Sequence, residues 1–179
     1  MGLLTFKGGI HPNDGKSLAK DKAIVEVLPE GDLVFPLSQH IGAPAAPIVK
    51  VGDQVLKGQK IAEAGGFVSA PVYSSVSGKV KAIAPYFTPT GGKVSSIIVE
   101  NDGAYTEAER LSTRPLEMLS KEEILNLIAE AGIVGMGGAG FPTRVKLSPK
   151  EPEKIEYVIA NCAECEPYIT ADYRRMMEN

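Results

Sequence analysis

The residues best suited to chemistry fall in two short stretches of the second half of the chain. The first is Gly135-Met-Gly-Gly-Ala-Gly-Phe-Pro-Thr-Arg-Val-Lys146. Gly135, Gly137 and Gly140 match the G-x-G-x-x-G pattern, and Gly138 and Ala139 complete a run of small residues. With so few side chains, the backbone can approach a ligand closely, and successive N–H groups can form an anion-binding nest. Lys146 can supply a cation to a phosphate, and Phe141 offers an aromatic face to a flat ring. The ordinary dinucleotide fingerprint needs a strand before the glycines and a helix after them. Here a helical pattern precedes, and Pro142 and Pro149 interrupt the segment after the glycines. The other reading open at this point is a loop that tightens a helix–strand junction, with Phe141 in the core.

The second stretch is Asn161-Cys-Ala-Glu-Cys-Glu-Pro-Tyr168. It comes after Ile155–Ala160, which reads as a short buried-type strand, and α/β folds place ligands at strand ends. Glu164 and Glu166 are two apart, so in an extended loop they point the same way. Together with the Asn161 amide they can hold ribose hydroxyls or amide groups. A carboxylate near a reducible ring also biases its potential by charge. A solvated acidic turn is the alternative. Cys162 and Cys165 are half of a metal or redox motif, with no second pair in the chain. No metal site and no catalytic side chain are assigned.

A third pattern lies earlier, in Val49–Ala62 and Val68–Val80. A Gly52-Asp53 turn, a Lys57-Gly58 turn and a hairpin entered through Ala70-Pro71 resemble the biotinyl/lipoyl carrier fold, a flattened β-barrel. Carriers present a lysine at the tip of that hairpin. Here the matching turn reads Tyr73-Ser-Ser-Val-Ser77 and has none. The module therefore reads as a structural barrel-sandwich, with Lys57 and Lys79 solvated.

The elements that must position these residues change character near residue 104. Before it, short apolar runs alternate with turn residues: Ala23–Leu28, Leu33–Pro36, Ala46–Val51, Val55, Lys60–Ala62, Phe67–Val72, Gly78–Ile83 and Val94–Glu100. After it, Ser120-Lys-Glu-Glu123 reads as a capping box. Ile124, Leu127, Ile128 and Ala131 come next at helical spacing, and Gly132 closes the helix. Thr170 can open another helix, but too few residues remain to cover the new strand, so the native protein is expected to continue beyond Asn179. The fold class is α+β: a barrel-sandwich β domain over 1–103, then the start of an α/β nucleotide-binding domain over 104–179.

The chain has 179 residues, net charge −3, 44% apolar residues and 6% aromatic residues, with no Trp. That is enough apolar material for a core. It lacks the basic excess and the stacking platform of a nucleic-acid binder. The longest stretch without a formal charge, Leu33–Val49, contains Pro36, Pro44 and Pro47, which rules it out as a membrane-crossing helix.

The glycine stretch through Thr143, a later lysine, and Asn-x-x-Glu-x-Glu-Pro after a strand together resemble the flavin- and NADH-binding subunit of respiratory complex I and its relatives. The opening Thr5-Phe-Lys-Gly-Gly-Ile-His-Pro12, the lipoyl-like module and Cys165-Glu-Pro-Tyr168 narrow this. The whole chain resembles the N-terminal part of the RnfC proteins of Rnf electron-transport complexes, ion-translocating ferredoxin:NAD oxidoreductases.

The resemblance implies FMN and NAD(H) as cofactors. The backbone of Gly135, Gly137, Gly138, Ala139 and Gly140 would bind FMN, and Lys146 would contact the flavin or its phosphate. Asn161 and Glu164 would hydrogen-bond the flavin side, Phe141 would stack on the nicotinamide nucleotide, and Glu166 would sit near both rings. It further implies 4Fe-4S clusters in a C-terminal part beyond this chain. Its partners would be other subunits of a membrane complex, with this chain peripheral on the cytoplasmic side. Two positions depart from the complex I relatives: Met136 replaces an arginine and Ala163 an aspartate. Those departures favour the alternative, a non-catalytic docking module of such a complex.

Overall fold

In the computed structural model, the apolar runs between Leu33 and Asn101 become β1 (Leu33–Pro36), β2 (Ala46–Pro47), β3 (Gln54–Val55), β4 (Lys60–Glu63), β5 (Val72–Tyr73), β6 (Gly78–Phe87) and β7 (Lys93–Asn101). The structure describes residues 12–89, 91–111, 114–136, 139–161 and 163–178. The chain forms two compact units, Pro29–Lys154 and Met1–Leu28 with Ile155–Asn179. The change of character near residue 104 lies inside the first of these.

All strand pairs in the Pro29–Lys154 unit are antiparallel. One sheet has the order β1-β7-β6-β3, the other β2-β4-β5. Along β6, Gly78 and Val80 are buried while Lys79 and Lys81 are exposed, the period of two that a half-buried strand requires. A register shift between Val80 and Ala82 marks a bulge against β7. Phe35, Leu37, Val49, Val55, Ile61, Val72, Val76, Val80, Ile97 and Val99 form one continuous core.

Two expected strands are shorter than their apolar runs. Ala46–Val51 forms strand only at β2, with one further bond from the Ile48 amide to the Ile61 carbonyl, before the Asp53 carboxylate accepts from the Lys50 amide and folds Lys50–Asp53 into a turn. Phe67–Val72 pairs only at its end, in β5. Ser69 Oγ accepts from the Gly65 amide and donates to the Ala43 carbonyl, tying that segment into a loop and leaving Phe67 exposed. The turn after β5, where carriers show their lysine, faces inward. Ser74, Val76 and Ser77 are buried, and only Ser75 is exposed. Ser77 Oγ donates to the Asp102 carboxylate and accepts from the Thr106 amide.

The capping box forms as read. Ser120 Oγ accepts from the Glu123 amide and the Glu123 carboxylate accepts from the Ser120 amide, opening α1 (Lys121–Glu130). The Arg114 guanidinium stands 2.7 Å from the same carboxylate. Tyr73 donates its hydroxyl hydrogen to the Glu130 carbonyl, and Lys60 pairs with the Glu130 carboxylate at 2.5 Å. Burial opposes the charge on Lys60, but its hydrogen bonds to Glu130 and Glu63 outweigh this and raise its pKa. These contacts seat the end of α1 on β4 and β5. Past Gly132 the chain enters the glycine loop, then α2 (Thr143–Lys146).

In the other unit, two expected strands are absent. Ala23–Leu28 and Ile155–Ala160 are not strands, and Ile24, Val25, Val27, Ile155, Tyr157, Val158 and Ile159 are exposed. β-branched residues favour a strand only when a neighbouring strand takes up their N–H and C=O groups. No described segment of this unit is a strand that could pair with either run. The expected C-terminal helix is present as α3 (Ala171–Glu178). Arg174 ties it down, pairing with Glu178 and donating to the Lys20 carbonyl. Among the described residues no helix is long and apolar enough to cross a membrane.

Replacing Ile97 by alanine should cost about 2–5 kcal/mol, read as a lower urea midpoint, because its site is fully enclosed. Glu123 gives a pH signature. The Arg114 hydrogen bond and then the Ser120 amide hold its carboxyl down at about 2. A depressed value means that the cap stabilises α1 fully above the ordinary carboxylate range and is lost as pH falls toward about 2. A carboxyl NMR titration should find that midpoint for Glu123, and Arg114→Ala should move it up.

Candidate functional site

The glycine stretch is a closed loop whose ends meet. Val134 bridges Pro142 in antiparallel fashion, the Gly135 amide donates to the Phe141 carbonyl at 2.8 Å, and the Thr143 amide donates to the Ile133 carbonyl at 3.1 Å. Gly137 and Gly138 lie outside the described residues. The far side of the loop is fixed to the segment after β1. The Ile41 amide donates to the Ala139 carbonyl at 3.1 Å. Gly140 has φ +57, and a Cβ on it would lie 2.7 Å from the Gln39 carbonyl oxygen and 2.9 Å from the His40 Cα. Glycine is required there by both backbone conformation and space.

His40 holds the receiving segment in place. It is buried; the Ala70 amide donates to its Nε2 at 3.1 Å, which leaves Nδ1 to donate to the Ile41 carbonyl, also at 3.1 Å. A cavity of about 420 Å³ borders the base of the loop, with Gln39, His40, Tyr73, Gly132 and Val134 in its wall. A second cavity, of about 670 Å³, is lined by Lys57, Lys60, Tyr73, Glu107, Arg110 and Glu130 among others, and by no described residue of the glycine loop.

Within the described residues, the amides of Met136, Ala139 and Gly140 meet no acceptor. Met136 and Ala139 are exposed while Gly140 is buried, and free backbone donors of this kind suit a phosphate or a ring carbonyl. Met136 is 95% exposed at the front of the loop. Phe141 is 38% exposed and lies outside the hydrophobic core. Lys146, at the end of α2, is exposed and forms no ion pair among the described residues. Gly135, Ala139, Gly140, Phe141 and Lys146 thus belong to one loop and the short helix after it.

Asn161, Glu164 and Glu166 share a loop of the other unit. Asn161 Oδ1 accepts from the Ala163 amide at 3.1 Å, a local turn. The Glu164 carboxylate accepts from the amides of Asp172, at 2.8 Å, and Tyr173, at 3.3 Å. It serves here as the cap of α3, at the end where the helix dipole favours negative charge. The Glu166 side chain is exposed and has no partner among the described residues. Cys165 is a free, exposed thiol, and Cys162 lies outside the described residues. Among the described residues no group of three His, Cys, Asp or Glu is placed to hold a metal ion.

One residue of this loop's surroundings escapes sequence reasoning. The Lys16 ammonium donates to the carbonyls of Glu164, Glu166 and Ile169. In the sequence Lys16 is one of three lysines in Lys16–Lys22, with nothing to separate it from a solvated charge.

Known proteins match both parts of the chain. The RnfC Barrel sandwich hybrid domain matches residues 4–104, and the Nuo51 FMN-binding domain matches residues 128–179. The RnfC-type component of the proton-translocating ferredoxin:NAD(+) oxidoreductase complex of Clostridium ljungdahlii is 51% identical over 179 residues, which is 99% of this chain and 39% of that protein. Its counterpart in the Na(+)-translocating ferredoxin:NAD(+) oxidoreductase complex of Acetobacterium woodii is 45% identical over 96% of this chain and 39% of its own length. The corresponding component of the ion-translocating oxidoreductase complex of Rhodobacter capsulatus is 44% identical over 97% of this chain and 34% of its own. The chain therefore spans little more than a third of the length of these relatives. The structure shows both strands and helices, and the barrel-sandwich and FMN-binding matches succeed one another along it as the α+β reading requires. With the barrel-sandwich match running from residue 4 to 104 and these relatives aligned over nearly the whole sequence, this chain belongs to the RnfC family.

Proposed function

We propose that this chain supplies FMN- and NAD(H)-contacting residues of an Rnf-type ferredoxin:NAD oxidoreductase. The observation that carries the reading is the closed glycine loop, which holds amides without an acceptor among the described residues and an exposed aromatic residue inside the segment that matches an FMN-binding domain. In this reading residues 1–103 are the barrel-sandwich domain and 104–179 the first half of the nucleotide-binding domain.

The donor set fits FMN. The loop amides after Gly135, whose own N–H is committed to the Phe141 carbonyl, and the Lys146 ammonium would hold phosphate and ring oxygens, with Gly135 shaping the loop. Asn161 and Glu164 would bond the flavin edge, and Phe141 would stack on the nicotinamide nucleotide. Glu166, unpaired and exposed, would place negative charge beside the two rings and so disfavour further negative charge there. FMN, when bound, supplies the exchange between a two-electron nicotinamide couple and one-electron carriers. The protein's own work is to orient the rings and to set the field around them. The 4Fe-4S carriers, the other subunits and the ion pathway would belong to the rest of the complex, with this chain peripheral on the cytoplasmic face of the membrane.

The loop geometry separates two glycines in the full-length protein. A Cβ at Gly135 would meet nothing closer than 3.6 Å, whereas one at Gly140 runs into backbone. Gly140→Ala should cost about 1–3 kcal/mol of stability and lower the bound FMN. Gly135→Ala should leave stability within about 0.5 kcal/mol. Glu166→Gln should keep its FMN and slow NADH-dependent flavin reduction, monitored by the bleaching of flavin absorbance. Full activity in both Gly140→Ala and Glu166→Gln would remove the site reading.

A further inference from the structure

We propose that Lys16 is a positioning residue for the loop that carries Glu164 and Glu166. This rests on the flavin reading above, and it gives the N-terminal turn a role in the site. An ammonium has three donors. Lys16 spends all three on one loop: the carbonyls of Glu164 at 2.7 Å, Glu166 at 3.0 Å and Ile169 at 2.6 Å. Those carbonyls lie 148 to 153 positions away in sequence, so no local turn explains the arrangement.

The gathered loop is one the chain would not adopt unaided. Glu164 has φ +28 and Tyr168 has φ +66, left-handed values at two residues that are not glycine. Such conformations persist only where the surroundings over-determine them. The surroundings here are Asn13–Lys16. The Asn13 side chain accepts from the Gly15 amide and the Asp14 side chain from the Lys16 amide, which fixes the turn. The Asp14 carbonyl accepts from the Tyr168 amide at 2.5 Å. Gly15 is buried, with φ +62, and a Cβ on it would collide with the Tyr168 ring. Ring, amide and three carbonyls of the loop are therefore all met by three consecutive residues, Asp14–Lys16, whose turn Asn13 helps to fix.

The choice of carbonyls matters. Lys16 orients the loop through its backbone and leaves the Glu164 carboxylate to the α3 amides and the Glu166 carboxylate unpaired among the described residues. A lysine that merely neutralised the acidic loop would pair with the carboxylates instead. The arrangement sets where those two charges stand without cancelling them.

The test uses the full-length protein loaded with FMN. Lys16→Met keeps the aliphatic stem and removes the donors, and Lys16→Arg keeps charge and donors. The expected result for Lys16→Met is faster amide exchange across Ala163–Ile169 and a kcat for NADH-dependent flavin reduction about tenfold lower, with FMN content and melting temperature close to the parent. Lys16→Arg should recover most of that kcat. If Lys16→Met does not yield folded protein, Lys16→Gln carries the same measurement. An unchanged kcat, or a loss that tracks the folded fraction and that Lys16→Arg does not recover, overturns the proposal. A parent protein that holds no FMN and does not oxidise NADH overturns the flavin reading instead, and the positioning role with it.

Discussion

The arrangement of the first unit depends on one close approach between two pieces of backbone. At Gly140 the loop passes so near the Gln39 carbonyl that no side chain fits between them. Everything around this point serves to bring the two pieces together. His40 spends both ring nitrogens on backbone partners to fix the receiving segment. Tyr73 and Lys60 hold the end of α1, from which the loop departs. The barrel is thus more than a neighbour of the glycine loop. It is the surface against which the loop takes its shape, and the hydrophobic core around Ile61, Ile97 and Val99 makes that surface stiff.

The β architecture was largely legible because strand periodicity and turn chemistry agreed. β1, β4, β6 and β7 fall where the apolar runs lie, and the capping box before α1 is built from the four residues that announce it. Where the reading overreached, side-chain hydrogen bonds decided the outcome. Asp53 and Ser69 fold the backbone into turns inside runs that otherwise look like strand. The two absent strands failed for another reason. Composition registers a residue's liking for a pleated surface, whereas pairing requires a neighbouring strand, and the described residues of the unit holding Ala23–Leu28 and Ile155–Ala160 include no strand.

Of the candidate site, the sequence conveys residue types more than geometry. Glycine density gave the loop, and the exposure of Phe141 agrees with a stacking role better than with a core one. What spacing could not convey is that the Glu164 carboxylate turns toward helix amides. Two glutamates separated by one residue look alike in an extended segment, but the left-handed φ at Glu164 removes the equivalence. Lys16 was invisible because its partners are carbonyls, and a carbonyl has no sequence signature.

The Glu164 cap has a thermodynamic consequence. One carboxylate cannot serve two sets of donors at full strength. Any ligand that recruits it must compete with the first turn of α3, and the two equilibria become linked. Apparent affinity is then scaled by the fraction of molecules in which the carboxylate has already let go. Linkage is reciprocal, so occupancy at the acidic loop and order in the helix after it report on each other.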